Sequence, residues 1–286
     1  MKLIFSICLV IGVCFSGYSQ QLKKIAALPD IIHESSGLVA CSDTSVLTIN
    51  DSGGEPVVYE VSLSGKLVSK TTFANVRNTD WEEITIDSGR VYIGDIGNNR
   101  NTRNNLTIYR FPLSKVGQRD VKADEIQFYY PEQMSYPPTD DEKVYDAEAF
   151  VIWENEIIIF TKCRTDPFTG EARIYKVPNE PGRHAARWVN TLTLGNGSWR
   201  SHSITGMCKL DKGIALLTYS DWYEIHLFNP DVKFWQNGNV IKHNLPFWRQ
   251  REAITQMPDG RIIISDEKKT LLGGGNLYEW SGKKEK

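Results

Sequence analysis

A short phrase recurs along the chain: polar residues, with a glutamate in four of five copies, then an apolar run. It reads HESSGLV at 33–39, DWEEITI at 80–86, DAEAFVI at 146–152, SHSITGM at 201–207 and REAITQM at 251–257. Aligned, the phrase puts Glu34, Glu82, Glu148, Ser203 and Glu252 at one position, at intervals of 48, 66, 55 and 49 residues. Units of this length cannot bury an apolar face alone, so they stack or close into a ring. The last two copies are more alike still, as GSWRSHSITG (197–206) and PFWRQREAIT (246–255).

Each interval carries the same set of strand-like runs. After Glu34 come SGLVA, SVLTIN, VVYEV and LVSKTTF; after Glu82 come EITID, RVYIGD, LTIYRF and EIQFYY. After Glu148 come AFVIW, EIIIFTK, ARIYKV and RWVNTLTL; after Ser203 come ITGMCKL, GIALLTY, YEIHLF and NVIKHNL. The last unit has only AITQM, RIIISD and NLYEW, and LKKIAAL (22–28) supplies the strand it lacks. Five four-stranded units closed by an N-terminal strand predict an all-β, five-bladed β-propeller over 21–286. Closure hides the sheet edges that an open array exposes. A six-bladed ring is the alternative if the long second interval conceals a blade. The acidic, Pro-rich stretch 131–146 reads instead as a loop inserted between the second and third units.

In such a blade the start of the first strand and the end of the second share one face, because the two are antiparallel. The second strands end in INDSGG (49–54), GDIGNNRN (94–101), TKCRTD (161–166), TYSDW (218–222) and SDEKK (265–269), all polar. Two sets of polar residues therefore converge on one mouth of the ring. Glu34, Glu82, Glu148 and Glu252 around a narrow axis repel one another more as water is excluded. A hard cation can sit among them, Ca2+ being the natural match for carboxylate and carbonyl oxygens. Alternatively Arg100, Lys162, Arg164, Arg200, Arg249, Arg251 or Lys268 pair with them, or some take up a proton, or each Glu caps backbone amides between blades.

The candidate metal ligands are Glu34, Asp51, Glu82, Glu148 and Glu252. Candidate ligand-binding residues are Asn50, Trp81, Asp95, Asn98, Asn99, Arg100, Lys162, Arg200, Trp222 and Arg251. Trp199 and Trp248 fall in the same mouth segments, suited to stacking on a sugar ring or to wedging blades apart. Glu148, Glu252 and His202 are the candidates for acid–base work. No Gly-x-Ser-x-Gly elbow surrounds Ser203, and the GGG at 273–275 lacks the residues of a phosphate loop.

A formal net charge of −2 gives no basic excess to neutralise a polynucleotide. Residues 1–20 have Lys2, an apolar run Leu3–Phe15 and a small polar end, which reads as a secretory signal peptide, too short for a membrane span. The chain is therefore expected to be exported to the periplasm or the medium, without a membrane span, and monomeric. Cys41, Cys163 and Cys208 then stay, at spacings that fit no disulfide framework and no structural zinc.

The stretches 34–61 and 80–99 resemble a group of exported bacterial propeller proteins of largely uncharacterised function. The same residues are distantly similar to the calcium-activated nucleotidases (apyrases), in Glu34-Ser-Ser-Gly-Leu-Val, the Asn50-Asp51-Ser-Gly-Gly turn before VVYEV, and Trp81-Glu82. That resemblance implies five blades, an axial Ca2+ and Glu34, Asp51 and Glu82 as metal or substrate contacts. The calcium-dependent lactonase and esterase propellers share the axial-Glu idea. Together these readings give an exported propeller binding Ca2+ and a small polar or anionic ligand, with hydrolysis of a phosphoester, lactone or ester in view. The alternative is a non-catalytic module for glycans or protein partners.

Overall fold

The computed structural model describes residues 21–236, 239–268 and 273–281; the segment read as a signal peptide, 1–20, lies outside the described residues. Five antiparallel four-stranded sheets make a ring, a five-bladed β-propeller. Blade one is Ser35–Ala40, Ser45–Asn50, Val57–Ser62 and Leu67–Thr72. Blade two is Trp81–Asp87, Arg90–Asp95, Leu106–Pro112 and Asp124–Tyr129. Blade three is Asp146–Trp153, Glu156–Lys162, Glu171–Pro178 and Arg187–Thr193. Blade four is Ile204–Leu210, Gly213–Thr218, Asp221–His226 and Val240–Asn244. Blade five is Arg251–Gln256, Ile262–Asp266 and Asn276–Ser281, completed by Gln21–Ala27. The six-bladed alternative falls away. One strand was not foreseen: Gly182–Ala185 leaves blade three and adds parallel to the outer edge of blade two.

The apolar residues form five clusters, one at each seam between neighbouring blades. Inner strands are packed on both faces, which is why they read as near-continuous apolar runs, SVLTIN being buried throughout. Outer strands such as LVSKTT are mostly exposed. The seams hold the ring together, and the axis is where the polar ends meet.

The first strand of every blade carries a β-bulge near its start. The unpaired residues are Gly37, Glu82, Glu148, Thr205 and Glu252. This hydrogen-bond register corrects the sequence alignment in two blades: the equivalents are Gly37 and Thr205, not Glu34 and Ser203. Gly37 is required there, since it lies at φ +63° and a Cβ would strike the backbone of Glu83 and Ile84 in the next blade. Thr205 instead ties its seam, its hydroxyl donating to the Arg251 carbonyl at 2.7 Å.

Glu83 closes the axis. Its side chain is fully buried and accepts from Ile84 N at 3.0 Å and from Met207 N, in blade four, at 2.9 Å. The Leu38 amide of blade one also donates to it. One carboxylate thus joins backbones of three blades. Burial pushes it well above the ordinary range, against those three amides.

The insertion at 131–146 is a loop with one 3-10 turn, Asp140–Glu142, and it is seated on the ring. Gln133 is buried and donates to Asn101 O at 2.8 Å, while Tyr175 donates to Glu132 at 2.6 Å. Cys41, Cys163 and Cys208 are unpaired thiols. No helix of the described residues is long and apolar enough to cross a membrane.

Candidate metal and ligand site at one mouth of the ring

The bulges lift Glu82, Glu148 and Glu252 toward one mouth, where the second strands also end. Two different electrostatic arrangements are found there, and both start from the same Asp-x-Glu spacing. Blade two reads Asp80-Trp81-Glu82 and blade three reads Asp146-Ala147-Glu148.

In blade three the acids are neutralised. The Arg164 Nε lies 2.6 Å from Asp146, and its Nη2 lies 3.0 Å from Glu148. Lys162 Nζ lies 3.0 Å from the same Glu148 oxygen, and both Lys162 and Glu148 are 3% exposed. Lys162 also donates to the Tyr219 hydroxyl at 3.2 Å. Burial alone lowers the Lys162 ammonium; Glu148 and Tyr219 outweigh it and push it well above its usual range. Burial pushes the Glu148 carboxyl up, while Lys162 and Arg164 pull it back. Asn98 N adds a 2.6 Å hydrogen bond to Asp146.

In blade two no lysine or arginine among the described residues forms an ion pair with Asp80 or Glu82. Carboxylate oxygens of Asp51, Asp80 and Glu82 lie within 4.8 Å of one another. Glu82 is 5% exposed, and its carboxylate has no hydrogen-bond or ion-pair partner among the described residues. Burial, then Glu148 and Asp51, push Glu82 well above the usual carboxylate range. Burial and the charge of Asp51 push Asp80 up to about 7. Asp51 is raised too, chiefly by burial. The Arg103 guanidinium, whose charge pulls Asp80 back, is bonded to Asp95 at 2.8 Å and to the Gly97 carbonyl at 2.6 Å. Gly97 leaves the carboxylates room: a Cβ there would collide with Glu82 Oε1 and Asp80 Oδ2.

Glu252 sits between the two groups, buried, facing Lys162, Glu267 and Asp51; burial pushes it up to about 7 against the pull of Lys162.

Several expected site residues do other work. Glu34 is 42% exposed beside His33 at the rim, and its carbonyl accepts from Asp51 N, so it stands outside the acidic trio. Trp81 is fully buried in the seam between blades one and two, its indole donating to Arg77 O at 2.9 Å. Trp222 is 3% exposed and stacks on His243 at 4.1 Å in the seam between blades four and five. Neither ring offers a face to the mouth. Arg251 is fully buried on the carbonyls of Tyr219, Pro246 and Phe247. Asn50 straps the rim, donating to Ile31 O at 2.9 Å. Asn98 binds Arg103 and Tyr145 backbone, and Asp95 accepts from Asp80 N at 3.0 Å, so both set the trio's frame. Asn99 accepts from Arg164. Arg100 is exposed, and Arg200 lies on the indoles of Trp199 and Trp248. The His202 ring is turned onto Ser198 and Ser201 of its own helical turn, away from the carboxylates.

A solved structure shares the fold. The PQQ-bound form of aldose sugar dehydrogenase from Streptomyces coelicolor superposes with a TM-score of 0.52 at 7% identity, over 92% of this chain and 97% of that one. The likeness is one of fold alone. Glutaminyl cyclase from Myxococcus xanthus, at 14% identity and TM-score 0.49, covers 91% of this chain and 94% of its own. No protein-family model matches the chain, and no curated protein matches it in sequence.

Asp80, Asp146, Tyr219 and Arg103 are the site residues that sequence reasoning missed. A signal for the first two was present: the spacing Asp-x-Glu occurs in both blades. Tyr219 and Arg103 had none, since nothing in a strand end says which neighbour it will face.

Proposed function

We propose that the mouth is a divalent-cation site built on Asp51, Asp80 and Glu82, suited to Ca2+, which holds a small polar or anionic ligand. One observation carries this reading: three carboxylates share 4.8 Å while the buried Glu82 has no counter-charge of its own. The all-oxygen donor set is the kind a hard cation takes. Raised carboxyls are what such a group shows when nothing positive stands among them. When bound, the cation would neutralise the trio and polarise an oxygen of the ligand.

Within this reading the chemistry is hydrolysis of a phosphoester, lactone or ester, with Glu252 as the base. Glu148 is held by two cations and His202 by its own turn, whereas Glu252 has a value of about 7, suited to exchanging a proton near neutrality. Export, argued from residues 1–20, would bring the site to compartments where weak Ca2+ sites fill.

Calorimetric titration with Ca2+, and melting with Ca2+ or a chelator, test the cation. The expected result is one bound ion and a higher melting temperature, both lost in Glu82→Gln. Gly97→Ala keeps every charge but intrudes on the trio, and should weaken Ca2+ as well. No heat and no thermal shift would refute the site. Hydrolysis is tested separately, on a panel of aryl phosphates, esters and lactones. Turnover should vanish in Glu252→Gln with Ca2+ affinity unchanged; equal turnover in that variant removes Glu252 from the chemistry.

A further inference from the structure

The rim of the same mouth has a second feature, on the side of blades four and five. Two connections lead into the first strands there: the helical turn Trp199–His202 and the segment 246–250. They expose Trp199 (46%), Phe247 (58%) and Trp248 (38%). Tyr219, buried between them, packs its ring 5.8 Å from Trp199 and 6.2 Å from Trp248. Its hydroxyl accepts from Lys162, which places this aromatic group against the acidic mouth.

Two arginines are laid on these rings. The Arg200 guanidinium stands 5.6 Å from the ring centroids of both Trp199 and Trp248. Arg249 stands 5.3 Å from Phe247 and makes one 3.3 Å bond to the Trp248 carbonyl. Neither has a carboxylate partner among the described residues. Elsewhere around this mouth Arg103 and Arg164 are ion-paired.

The segment is held in place at a cost. Phe247 has φ +42°, a left-handed backbone unfavourable for a bulky residue. The buried Arg251 fixes it, donating to the carbonyls of Pro246 at 2.6 Å and Phe247 at 2.8 Å. Strain kept in this way, under an exposed aromatic residue, marks a surface that is presented for contact.

We propose that Arg200 and Arg249, backed by Trp199, Phe247 and Trp248, receive the oxyanion of a small organic ligand. A guanidinium stacked on an aromatic face keeps its in-plane N–H fork free, which matches a phosphate or carboxylate two bonds at a time. Its rotamer is already restricted, so less ordering is lost on binding. The anion docks on the rim, and the uncharged remainder of the ligand extends over the mouth. The assignment of that remainder rests on the cation reading above; the anion receptor does not.

Tryptophan fluorescence reads the receptor directly, because two of its residues are indoles. The probes are glucose 6-phosphate, glucuronate and glucose, each with Ca2+ and with chelator. Both anions should change the emission, with the tighter one identifying phosphate or carboxylate as the source, and glucose should not. Arg200→Ala should weaken the anions by roughly tenfold, and Arg200→Lys by less, since lysine keeps the charge and loses the fork. Arg200 is exposed, and unchanged melting confirms an intact fold. Equal affinity in Arg200→Ala, equal response to glucose, or no response to either anion at roughly 10 mM overturns the proposal. If anion affinity ignores Ca2+ and Asp80→Asn but still falls in Arg200→Ala, the receptor stands and the placement of the ligand's remainder over the cation site fails; the cation site itself is refuted only by the absence of heat and thermal shift with Ca2+.

Discussion

Blades two and three begin from the same Asp-x-Glu and end in opposite states. The register makes the two comparable position by position. Counting from the residue paired just before each bulge, Ile96 stands in blade two where Lys162 stands in blade three, and Asn98 stands where Arg164 does. Blade three therefore carries its own cations, at 2.6 and 3.0 Å from its acids. Blade two has an apolar residue and an amide at those places, and Asp51 of blade one adds a third carboxylate. The expectation of four glutamates with three possible outcomes resolves into a division. Lys162 and Arg164 pair with Glu148, Lys162 also faces Glu252, the bulges of blades one and four carry no carboxylate, and Glu82 has no ion-pair partner among the described residues. An acidic residue at a propeller axis is thus no sign of metal by itself; what its second-strand neighbour supplies decides.

The comparison can be broken most forcefully from the paired side. Lys162→Met leaves Glu148 buried with half its compensation and should destabilise by about 3–5 kcal/mol, a fall in melting temperature of roughly 10 °C. Adding Glu148→Gln to that variant should restore much of the loss; failure to do so would mean Lys162 acts through packing. Beneath both groups, Glu83→Leu strands three buried amides and should cost roughly 2–4 kcal/mol, read by denaturant melts, with Glu83→Gln costing less. The unpaired side should behave in the opposite sense. In metal-free protein Glu82→Gln relieves repulsion and should raise the melting temperature by roughly 2–4 °C, while Ca2+ affinity falls at least roughly tenfold.

The smallest effect is the pH dependence. Asp80 rises from 3.8 to about 7 on folding, so between those values the folded protein holds a proton that the unfolded chain has released. Its contribution is present at low pH and is lost as pH climbs through 7. Melting of the metal-free protein should therefore decline by a few degrees from about pH 5.5 to 8. Saturating Ca2+ should flatten that slope, since the cation competes with the proton. A metal-free slope of the opposite sign would show that the trio is compensated by a group not identified above.

Much of this molecule was legible before any coordinates. Every strand of the five blades was read at nearly its observed place, because inner strands buried on both faces give unbroken apolar runs between turn residues. Glu82, Glu148 and Glu252 were also readable, as carboxylates at the start of the second, third and fifth units. Glu34 was misread because it lies three residues before Gly37, and a bulge is defined by hydrogen bonds that leave no letter behind. Trp81 and Trp222 were misplaced for a related reason: a strand end near the mouth can turn a ring into the seam instead of the opening. Asp80 and Asp146 had a signal in their shared spacing, but its meaning depended on what stands opposite them at the end of the second strand, Ile96 or Lys162.

What the sequence determined alone is the ring: the number of blades, the strand closing it from the N-terminus, and the face on which polar ends gather. Those follow from local pattern and repeat length, which are properties of the chain read in order. Which carboxylates are neutralised was decided only by tertiary structure. Charge compensation acts over a few ångströms between residues far apart in sequence, and it turns on a bulge register and on whether Lys162 or Ile96 stands beside the acid.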